Sequence, residues 1–482
     1  MPTLARHATR QRAASDILMQ VAVRIVNLAI GVLVTALVVR TLGKVGYGQW
    51  STVFIVLGLL AYFTNFGMEG VALREAAREP EHELEWIGSV MMLRLMMLVP
   101  VMVASVIAVL ALQQSEQMLI AGLILVVAMP FGGISALGLI FQLRVDNRIP
   151  MLVLTLRSIL WGVAVLIIWR EDAGMVALAI AMVTTNLIGS IVQALAARRM
   201  FGRWPRWTRA RIRPLVKVGL PIGIAGVLVI SYARIDQVIV FVVAGSAEAG
   251  LYGAVYNILD QSHFVPISIL TTLAPVLAAA WPADPERLMR AARLMAELLA
   301  IASFGALAFA TAAAEPIIRL IFGAEFVSAA PALPVLGLAF VLICFGYLNG
   351  NLLVVLGMQQ RLLRISLFAL VVNLIGNAIL VPAVGYMGAA VMTVVTEAVV
   401  LVLATREVRG KLGLPAPRPG RIAHTALAAL LLGLLLGLMR YAGAPLAALI
   451  AAACVCYPGL LFALRAIGID DLRVALRRAR PA

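Results

Sequence analysis

Charged residues are scarce in this chain, and no segment is polar enough to form a soluble domain. Asp, Glu, Lys and Arg make up only 13% of the 482 residues, whereas 63% are hydrophobic. A water-soluble protein of this length has about half of its residues apolar and needs more charge to cover its surface. The composition therefore points to a protein that acts within or across a bilayer.

Cysteine and histidine are too few and too scattered to build a metal or redox centre. Cys344, Cys454 and Cys456 all lie inside apolar runs, as small buried hydrophobic residues do. The four histidines have no spacing typical of a zinc or haem site. We therefore expect no cofactor and no bound metal.

Acidic residues are outnumbered, with 23 Asp and Glu against 39 Lys and Arg, for a formal net charge of +16. An excess of this size can indicate a nucleic-acid partner. Here, however, about 30 of the 39 basic residues fall in every second loop, as in membrane proteins whose basic loops stay in the cytoplasm. We therefore expect a bilayer with anionic lipid as the partner, no nucleic acid, and both termini in the cytoplasm.

Apolar runs of about 20 residues recur along the chain, and a run of this length can cross a bilayer as one helix. They predict an all-α polytopic membrane protein with about 14 transmembrane helices. The first run is predicted to be a retained helix, because no small-residue cleavage site follows it. The predicted helices lie near residues 17–39, 49–72, 87–110, 118–141, 151–169, 175–197, 216–242, 250–280, 290–312, 329–356, 362–382, 387–405, 421–439 and 445–467.

A motif of glycines and a tyrosine occurs twice, six predicted helices apart and on the same predicted side of the membrane. It spans Leu42–Gly48 after the first helix and Ala244–Gly253 after the seventh. With the most basic loop between helices six and seven, this spacing predicts two parallel six-helix lobes, a plan common in transporters. The predicted segments are an N-terminal lobe (1–200), a basic cytoplasmic linker (201–215), a C-terminal lobe (216–405), a second cytoplasmic linker (406–420), two extra helices (421–467) and a basic cytoplasmic tail (468–482).

Polar side chains inside apolar helices are costly and usually face a cavity or a partner. Predicted helices one, two, seven and eight have the most polar faces, on which polar residues recur three or four positions apart. The candidate substrate-binding residues on these helices are Arg24, Asn27, Asn65, Glu69, Arg234, Asn257 and Gln261. The candidates for carrying a proton are Asp236 and Asp260.

Arg24 and Arg234 suit a substrate with phosphates or acidic sugars, because a guanidinium stays charged and binds phosphate through two parallel hydrogen bonds. The alternative is that these arginines form structural ion pairs between helices. Their depth along the predicted helices places Arg234 near Asp260, and Arg24 near Glu69. Either pairing would bring two polar faces together.

Two further arginines, Arg94 and Arg157, lie only one or two turns inside the ends of predicted helices. Long basic side chains at such positions usually bury their stems and extend the charged group to the membrane interface. We predict this arrangement for both.

Five short segments carry motifs that occur in a characteristic order. They are Arg40–Gly48 (RTLGKVGYG), Asn65–Met68 (NFGM), Ala72–Arg78 (ALREAAR), Ile318–Gly323 (IRLIFG) and Val381–Ala390 (VPAVGYMGAA). Together with the plan of about 14 helices, they resemble the polysaccharide-biosynthesis flippases of the multidrug/oligosaccharidyl-lipid/polysaccharide exporter superfamily. The resemblance covers essentially the whole chain.

The resemblance implies two six-helix lobes around a central cavity, lined mainly by helices one, two, seven and eight, with two extra C-terminal helices. It implies export of undecaprenyl-diphosphate-linked oligosaccharide across a bacterial inner membrane by alternating access, for a surface polysaccharide such as lipopolysaccharide or exopolysaccharide. A lipid-linked oligosaccharide is then the substrate, other polysaccharide-assembly membrane proteins are partners, and proton coupling is expected.

Two transporter alternatives stay open. A flippase for a lipid-linked peptidoglycan precursor would also have a cationic cavity, and the sequence separates it poorly from the first interpretation. A multidrug exporter of the same superfamily would have an acidic cavity for cations. A membrane enzyme is disfavoured because the loops opposite the basic ones are too short for a catalytic domain, and no filter or pore-lining ring indicates a channel. We therefore expect a transporter and not an enzyme.

Overall fold

A computed structural model describes the backbone of residues 2–143, 148–202, 204–412 and 419–466. Side chains are described from Val26 onward, except at positions 28, 132–135, 148, 201, 222, 225 and 419 within those ranges. Over the described ranges the chain forms α-helices, short turns and three short 3-10 helices, without a β-strand. The predicted all-α architecture is confirmed.

The described helices are joined by short connections, and twelve apolar stretches among them are long enough to cross a membrane. The helices are α1 (Pro2–Tyr62), α2 (Met68–Arg78), α3 (Glu83–Leu112), α4 (Glu116–Val127), α5 (Met129–Ile134), α6 (Gly138–Leu143), α7 (Arg148–Glu171), α8 (Gly174–Phe201), α9 (Arg209–Ala244), α10 (Ser246–Ser262), α11 (Phe264–Ala280), α12 (Pro285–Phe322), α13 (Ala332–Val355), α14 (Gln359–Val384), α15 (Tyr386–Leu412), α16 (Pro419–Tyr441) and α17 (Leu446–Ala463).

The described part has twelve candidate spans where the sequence predicts about 14, and two local features account for the difference. α1 combines two helices that meet at Gly43, whose backbone is not helical, so the first predicted helix and the first part of the second share one apolar stretch. The apolar helix Glu116–Phe131 is shorter than the other spans. The multi-pass membrane fold is therefore confirmed, with a count close to the predicted one.

Helix starts follow the local rules of capping. Ser115 precedes α4, and its hydroxyl oxygen accepts a hydrogen bond from the Met118 amide at 3.2 Å. Asp284 precedes α12 and accepts a hydrogen bond from the Arg287 amide at 2.8 Å, with Pro285 at the first helical position. These side chains satisfy amides that have no partner within the helix, and a proline at this position loses no helical hydrogen bond.

The prediction of one continuous helix over residues 49–72 is wrong. α1 ends at Tyr62 and α2 begins at Met68, with turns between them. Phe66 and Gly67 have left-handed backbone conformations, with φ of 38° and 69°. Such residues cannot continue a right-handed helix. Hydropathy did not reveal this turn because it occurs within an apolar run.

Two more predicted helices are divided near prolines. The helix predicted at 118–141 becomes α4, α5 and α6, with its first break just before Pro130. The helix predicted at 250–280 becomes α10 and α11, with the break at His263, three residues before Pro266. A proline nitrogen cannot donate to the carbonyl one turn earlier, so the helical ladder is interrupted at these places.

The chain has two compact units, Met1–Arg234 and Ile235–Ala482, whose boundary falls within α9. In the first unit, a cluster of buried apolar side chains joins α2, α3 and α6. In the second unit, another cluster joins α12, α16 and α17. There the Tyr457 hydroxyl on α17 donates to the Ile301 carbonyl on α12 at 2.7 Å. The residue bounds predicted for lobes and linkers stay a prediction.

The repeated glycine motif has a similar backbone conformation in both units. Gly43 has φ 61° and ψ −179°, and Gly245 has φ 91° and ψ 172°. Residues with a Cβ rarely adopt this region of backbone space. Tyr47 and Tyr252, which follow in the two motifs, are both buried. The two motifs thus correspond in structure as well as in sequence.

Candidate substrate and coupling sites

Glu69 lies at the start of α2, and its carboxylate has two partners in the first unit. Arg94 of α3 approaches Oε1 with its Nη2 at 2.6 Å, and Asn65 donates from Nδ2 to Oε2 at 3.3 Å. The Arg94 side chain is 7% exposed, whereas that of Glu69 is 33% exposed. The prediction that Arg94 extends to the membrane interface is wrong, because Glu69 pairs with its guanidinium inside the unit.

The turn that carries Asn65 packs closely against the first half of α9. A Cβ added at Gly223 would overlap the backbone of Phe66, and one added at Gly226 would overlap the hydroxyl of Tyr62. Glycine at these two positions therefore lets α9 approach the turn, as close backbone contacts require. The position of Asn65 depends in this way on α9.

Two other predicted polar residues of the first unit link α7 to its neighbours. Asn27 on α1 donates from Nδ2 to the Thr155 hydroxyl on α7 at 3.2 Å. Arg157 on α7 donates to the Asn186 carbonyl oxygen on α8, beside a cavity of about 400 Å³. Arg157 is half-buried at this position, and its extension to the membrane interface stays a prediction.

The two arginines predicted to bind phosphate are not equally described. Arg24 lies outside the residues whose side chains are described, so its pairing with Glu69 and its role stay predictions. Arg234 is half-buried on α9 and is the last residue of the first unit. Its approach to Asp260, which belongs to the second unit, stays a prediction.

Asp236 is at the centre of a buried hydrogen-bond network in the second unit. Asp236 is 2% exposed, and Tyr252 on α10 is fully buried. The Oδ2 atom of Asp236 accepts a hydrogen bond from the Tyr252 hydroxyl and, at 3.3 Å, from the Thr393 hydroxyl on α15. Its Oδ1 atom accepts from the Gln237 amide at 2.8 Å. The network joins α9, α10 and α15.

The composition of this network suits a group that gains and loses a proton. Hydroxyl groups both donate and accept hydrogen bonds, so Tyr252 and Thr393 can reorient when Asp236 changes its protonation state. The two hydroxyls also lie 3.1 Å from each other. Thr393 was missed by sequence reasoning because it lies 157 residues from Asp236. Tyr252 belongs to the repeated glycine motif, and this repeat was the sequence signal that could have identified it.

The other predicted residues of the second unit lie near the end of α10. Asn257, Asp260 and Gln261 are half-buried there, and their spacing places them along one side of the helix. Asn257 and Gln261 form no side-chain hydrogen bond with another described residue. Their amide groups can therefore bind the hydroxyls of a ligand.

The sequence matches a known protein family over more than half of its length. A family model described as polysaccharide biosynthesis protein matches residues 13–281. The chain belongs to this family. The matched segment contains all of the predicted site residues. A search of curated proteins found no significant match.

Solved structures with a similar fold are transporters of the MOP superfamily. Lipid II flippase MurJ in an inward closed conformation has a TM-score of 0.75 at 14% identity, covering 92% of this chain and 98% of that one. An inward-facing multidrug resistance MATE family transporter has a TM-score of 0.67 at 18% identity, covering 81% and 95%. A MOP superfamily transporter from Pyrococcus furiosus has a TM-score of 0.60 at 17% identity, covering 82% and 95%.

At these identities the likeness establishes the fold. The predicted family and the predicted multi-pass transporter architecture are confirmed. These neighbours are transporters or flippases and not enzymes, which agrees with the expected class of protein.

Proposed function

We propose that the protein is a flippase that moves undecaprenyl-diphosphate-linked oligosaccharide across a bacterial inner membrane by alternating access. The observation that supports this best is the polysaccharide biosynthesis family match over residues 13–281. The similarity of its fold to that of a lipid II flippase agrees with a lipid-linked substrate. The distribution of basic loops supports cytoplasmic termini. The oligosaccharide would serve surface polysaccharide biosynthesis, together with other assembly proteins of the same membrane.

The substrate has two kinds of polar group, and the candidate residues provide a side chain for each. Its diphosphate is anionic and suits the guanidinium groups of Arg24 and Arg234. Sugar hydroxyls donate and accept hydrogen bonds, as the amide side chains of Asn257 and Gln261 do. Those two amides have no hydrogen-bonded partner among the described residues, so a sugar would not have to displace one.

Asn27, Asn65 and Glu69 have a different part in the proposed site, because each has a described protein partner. Asn27 holds α1 against α7, and Asn65 holds the turn before α2 against Glu69. We assign these residues mainly to positioning the helices of the site. Glu69 is a third exposed, so its carboxylate is also able to accept a hydrogen bond from a sugar hydroxyl.

Asp236 and Asp260 are the proposed coupling residues, and the geometry favours Asp236. Its carboxylate connects α9 with α10 and α15 through hydroxyl groups. A proton on Asp236 would remove an acceptor and weaken the connection between these helices. Protonation can thus bias one packing arrangement over another, as alternating access requires.

A flippase for a lipid-linked peptidoglycan precursor is the second candidate. It is favoured by the TM-score of 0.75 to a lipid II flippase, which extends over 92% of this chain. A multidrug exporter has weaker support, because the MATE transporter has a TM-score of 0.67 and extends over 81%. The three functions differ in substrate, so one experiment separates them.

The test is genetic and uses matched arginine variants. The gene is deleted in its host and replaced by wild type, Arg24→Ala, Arg234→Ala or Arg290→Ala at equal membrane levels. Arg290 is the control because, among the described residues, its exposed side chain pairs only with Glu286, at 3.4 Å on the same helix. We then measure undecaprenyl-linked oligosaccharide, lipid II and surface polysaccharide. We expect the two test variants to lose polymer and accumulate the lipid-linked oligosaccharide, and the control to match wild type.

Each of the other outcomes would show a different part of the proposal to be wrong. Accumulation of lipid II in the deletion strain, with normal surface polysaccharide, would favour the second candidate. Greater sensitivity to cationic drugs, with both glycans normal, would favour the exporter. A deletion that blocks export while both arginine variants export normally would leave the flippase in place and make the arginines structural.

A further inference from the structure

The second unit contains a basic cavity at one end of α12 and α16, at the side of the membrane that the charge distribution predicts to be cytoplasmic. The cavity has a volume of about 420 Å³. Its charged and titratable lining residues are Arg293, Glu297, Arg421, His424 and Arg465. None of the residues assigned above to substrate binding or coupling lines it.

Among the residues that the structure describes, the charges lining this cavity are not balanced. Glu297 is the one acid among its described lining residues and pairs with Arg421, whose Nη1 lies 3.0 Å from Glu297 Oε2. Arg293 forms no ion pair with another described residue, and its buried Nε has no hydrogen-bond acceptor among them. A buried guanidinium nitrogen without an acceptor is costly, and an anionic oxygen would satisfy it. With Arg465 as a further cation, the cavity is suited to a phosphate group.

An apolar groove of about 250 Å³ adjoins the basic cavity and shares Arg293, Ala296 and Ile422 with it. Its walls come from α12, α13, α15 and α16. Most of its lining is apolar and includes Phe345, Leu348, Leu352, Leu401, Val408 and Leu412, and Arg409 adds a further cation to its wall. A basic cavity continuous with an apolar groove fits a molecule that has an anionic head and a hydrocarbon chain.

We propose that these two cavities bind one anionic phospholipid of the adjacent leaflet, with its phosphate at Arg293 and Arg465 and one acyl chain in the groove. Basic pockets between membrane helices on the cytoplasmic side bind anionic headgroups in this way. The lipid would connect α16 to α12, α13 and α15, and would stabilise the second unit. This proposal concerns a resident lipid and does not depend on which substrate is transported.

The test measures lipid-dependent stability of the purified full-length protein in a neutral detergent. Unfolding is followed by tryptophan fluorescence during titration with phosphatidylglycerol, which is anionic. Phosphatidylcholine is the zwitterionic control lipid, and inorganic phosphate tests the anionic group without an acyl chain. A ligand that binds the folded state raises the unfolding temperature as its concentration exceeds its dissociation constant. We expect phosphatidylglycerol to raise it by several degrees and the other two to raise it little.

Matched variants locate the effect. Arg293→Gln with Arg465→Gln removes two charges from the cavity, and Arg287→Gln with Arg290→Gln removes two exposed charges at the start of the same helix α12. We expect the first pair to need about tenfold more phosphatidylglycerol, or to lose the shift, since each lost charge-assisted hydrogen bond weakens binding. The second pair should respond as wild type.

If the first pair does not fold, Arg293→Lys serves in its place, because lysine keeps the charge but not the planar guanidinium, and it should still weaken the response. Equal responses in cavity variants and controls would overturn the proposal. So would equal shifts with phosphatidylcholine, which would indicate no recognition of charge. A full shift with inorganic phosphate alone would replace the lipid with a free anion.

Discussion

Arg94 and Glu69 form an ion pair whose two side chains differ in exposure, at 7% and 33%, with 2.6 Å between Nη2 and Oε1. The pair joins α3 to the start of α2. Because the arginine is the more buried partner, removing the acid leaves a charge with little access to solvent. Removing the arginine leaves a carboxylate that solvent can still reach. The two single substitutions should therefore not be equivalent.

We predict that Glu69→Gln destabilises the protein more than Arg94→Gln does. Removing the acid from a buried ion pair costs about 3 kcal/mol, and we expect roughly half of that when the partly exposed carboxylate is the group that remains. The measurement is the thermal unfolding midpoint of each purified variant, together with the double variant as a thermodynamic cycle. Equal losses in the two single variants, or a double variant equal to their sum, would contradict this assignment.

The Asp236 network leads to a second prediction. Tyr252→Phe removes a hydroxyl that donates to a buried carboxylate while it keeps the ring. We expect the free energy of unfolding to fall by about 1–3 kcal/mol, because the acceptor loses a donor that water cannot replace. Tyr441→Phe is the control, since that side chain is 92% exposed.

The Tyr252 variant also tests the coupling role of Asp236. If Asp236 carries a proton, Asp236→Asn should abolish the pH dependence of transport, and Tyr252→Phe should shift that dependence without abolishing it. Both would be measured in proteoliposomes with an imposed pH gradient. A purely structural Asp236 would lower the stability of both variants and leave the pH dependence of the remaining transport unchanged.

The close approach of α9 to the turn before α2 gives a third prediction. Gly223→Ala places a Cβ where the Phe66 backbone lies, so the helix or the turn must shift. We expect a lower unfolding midpoint, equivalent to about 1–3 kcal/mol of overpacking. Gly58→Ala is the matched control within the same unit, because nothing lies within 4 Å of its added Cβ. An equal midpoint for both variants would mean that the contact can relax freely.

The fold could be predicted from sequence because the length of an apolar run sets the number of spans without any knowledge of packing. The left-handed turn at Phe66 and Gly67 could not, because hydropathy carries no information about backbone conformation. A left-handed glycine is common, but a phenylalanine with φ of 38° has no reliable signature in one sequence. That turn determines where Asn65 and Glu69 lie.

For the candidate site, the sequence indicated which polar side chains have polar partners, but it indicated less well which partners those are. Helical spacing identified Asp236 as a polar group inside an apolar helix, and it identified Glu69 on a predicted helix that the turn before α2 interrupts; both carboxylates have polar partners in the structure. It could not identify those partners, because Arg94 and Thr393 come from helices that meet them only after folding. The predicted extension of Arg94 to the interface failed for the same reason: an acid on another helix offers a better partner than the membrane surface.

The shared backbone conformation of Gly43 and Gly245 gives the last prediction. Nothing lies within 4 Å of a Cβ added at Gly245, so Gly245→Ala introduces backbone strain without a steric clash. With φ of 91° and ψ of 172°, that strain should cost about 1–3 kcal/mol. Gly437→Ala is the control, because its added Cβ also meets nothing within 4 Å while its position is helical. It should be neutral or slightly stabilising. If Gly43→Ala and Gly245→Ala lower the unfolding midpoint by similar amounts, the two motifs contribute equally to the stability of the two units. If only one of them does, the similarity of the two motifs is confined to their backbone geometry.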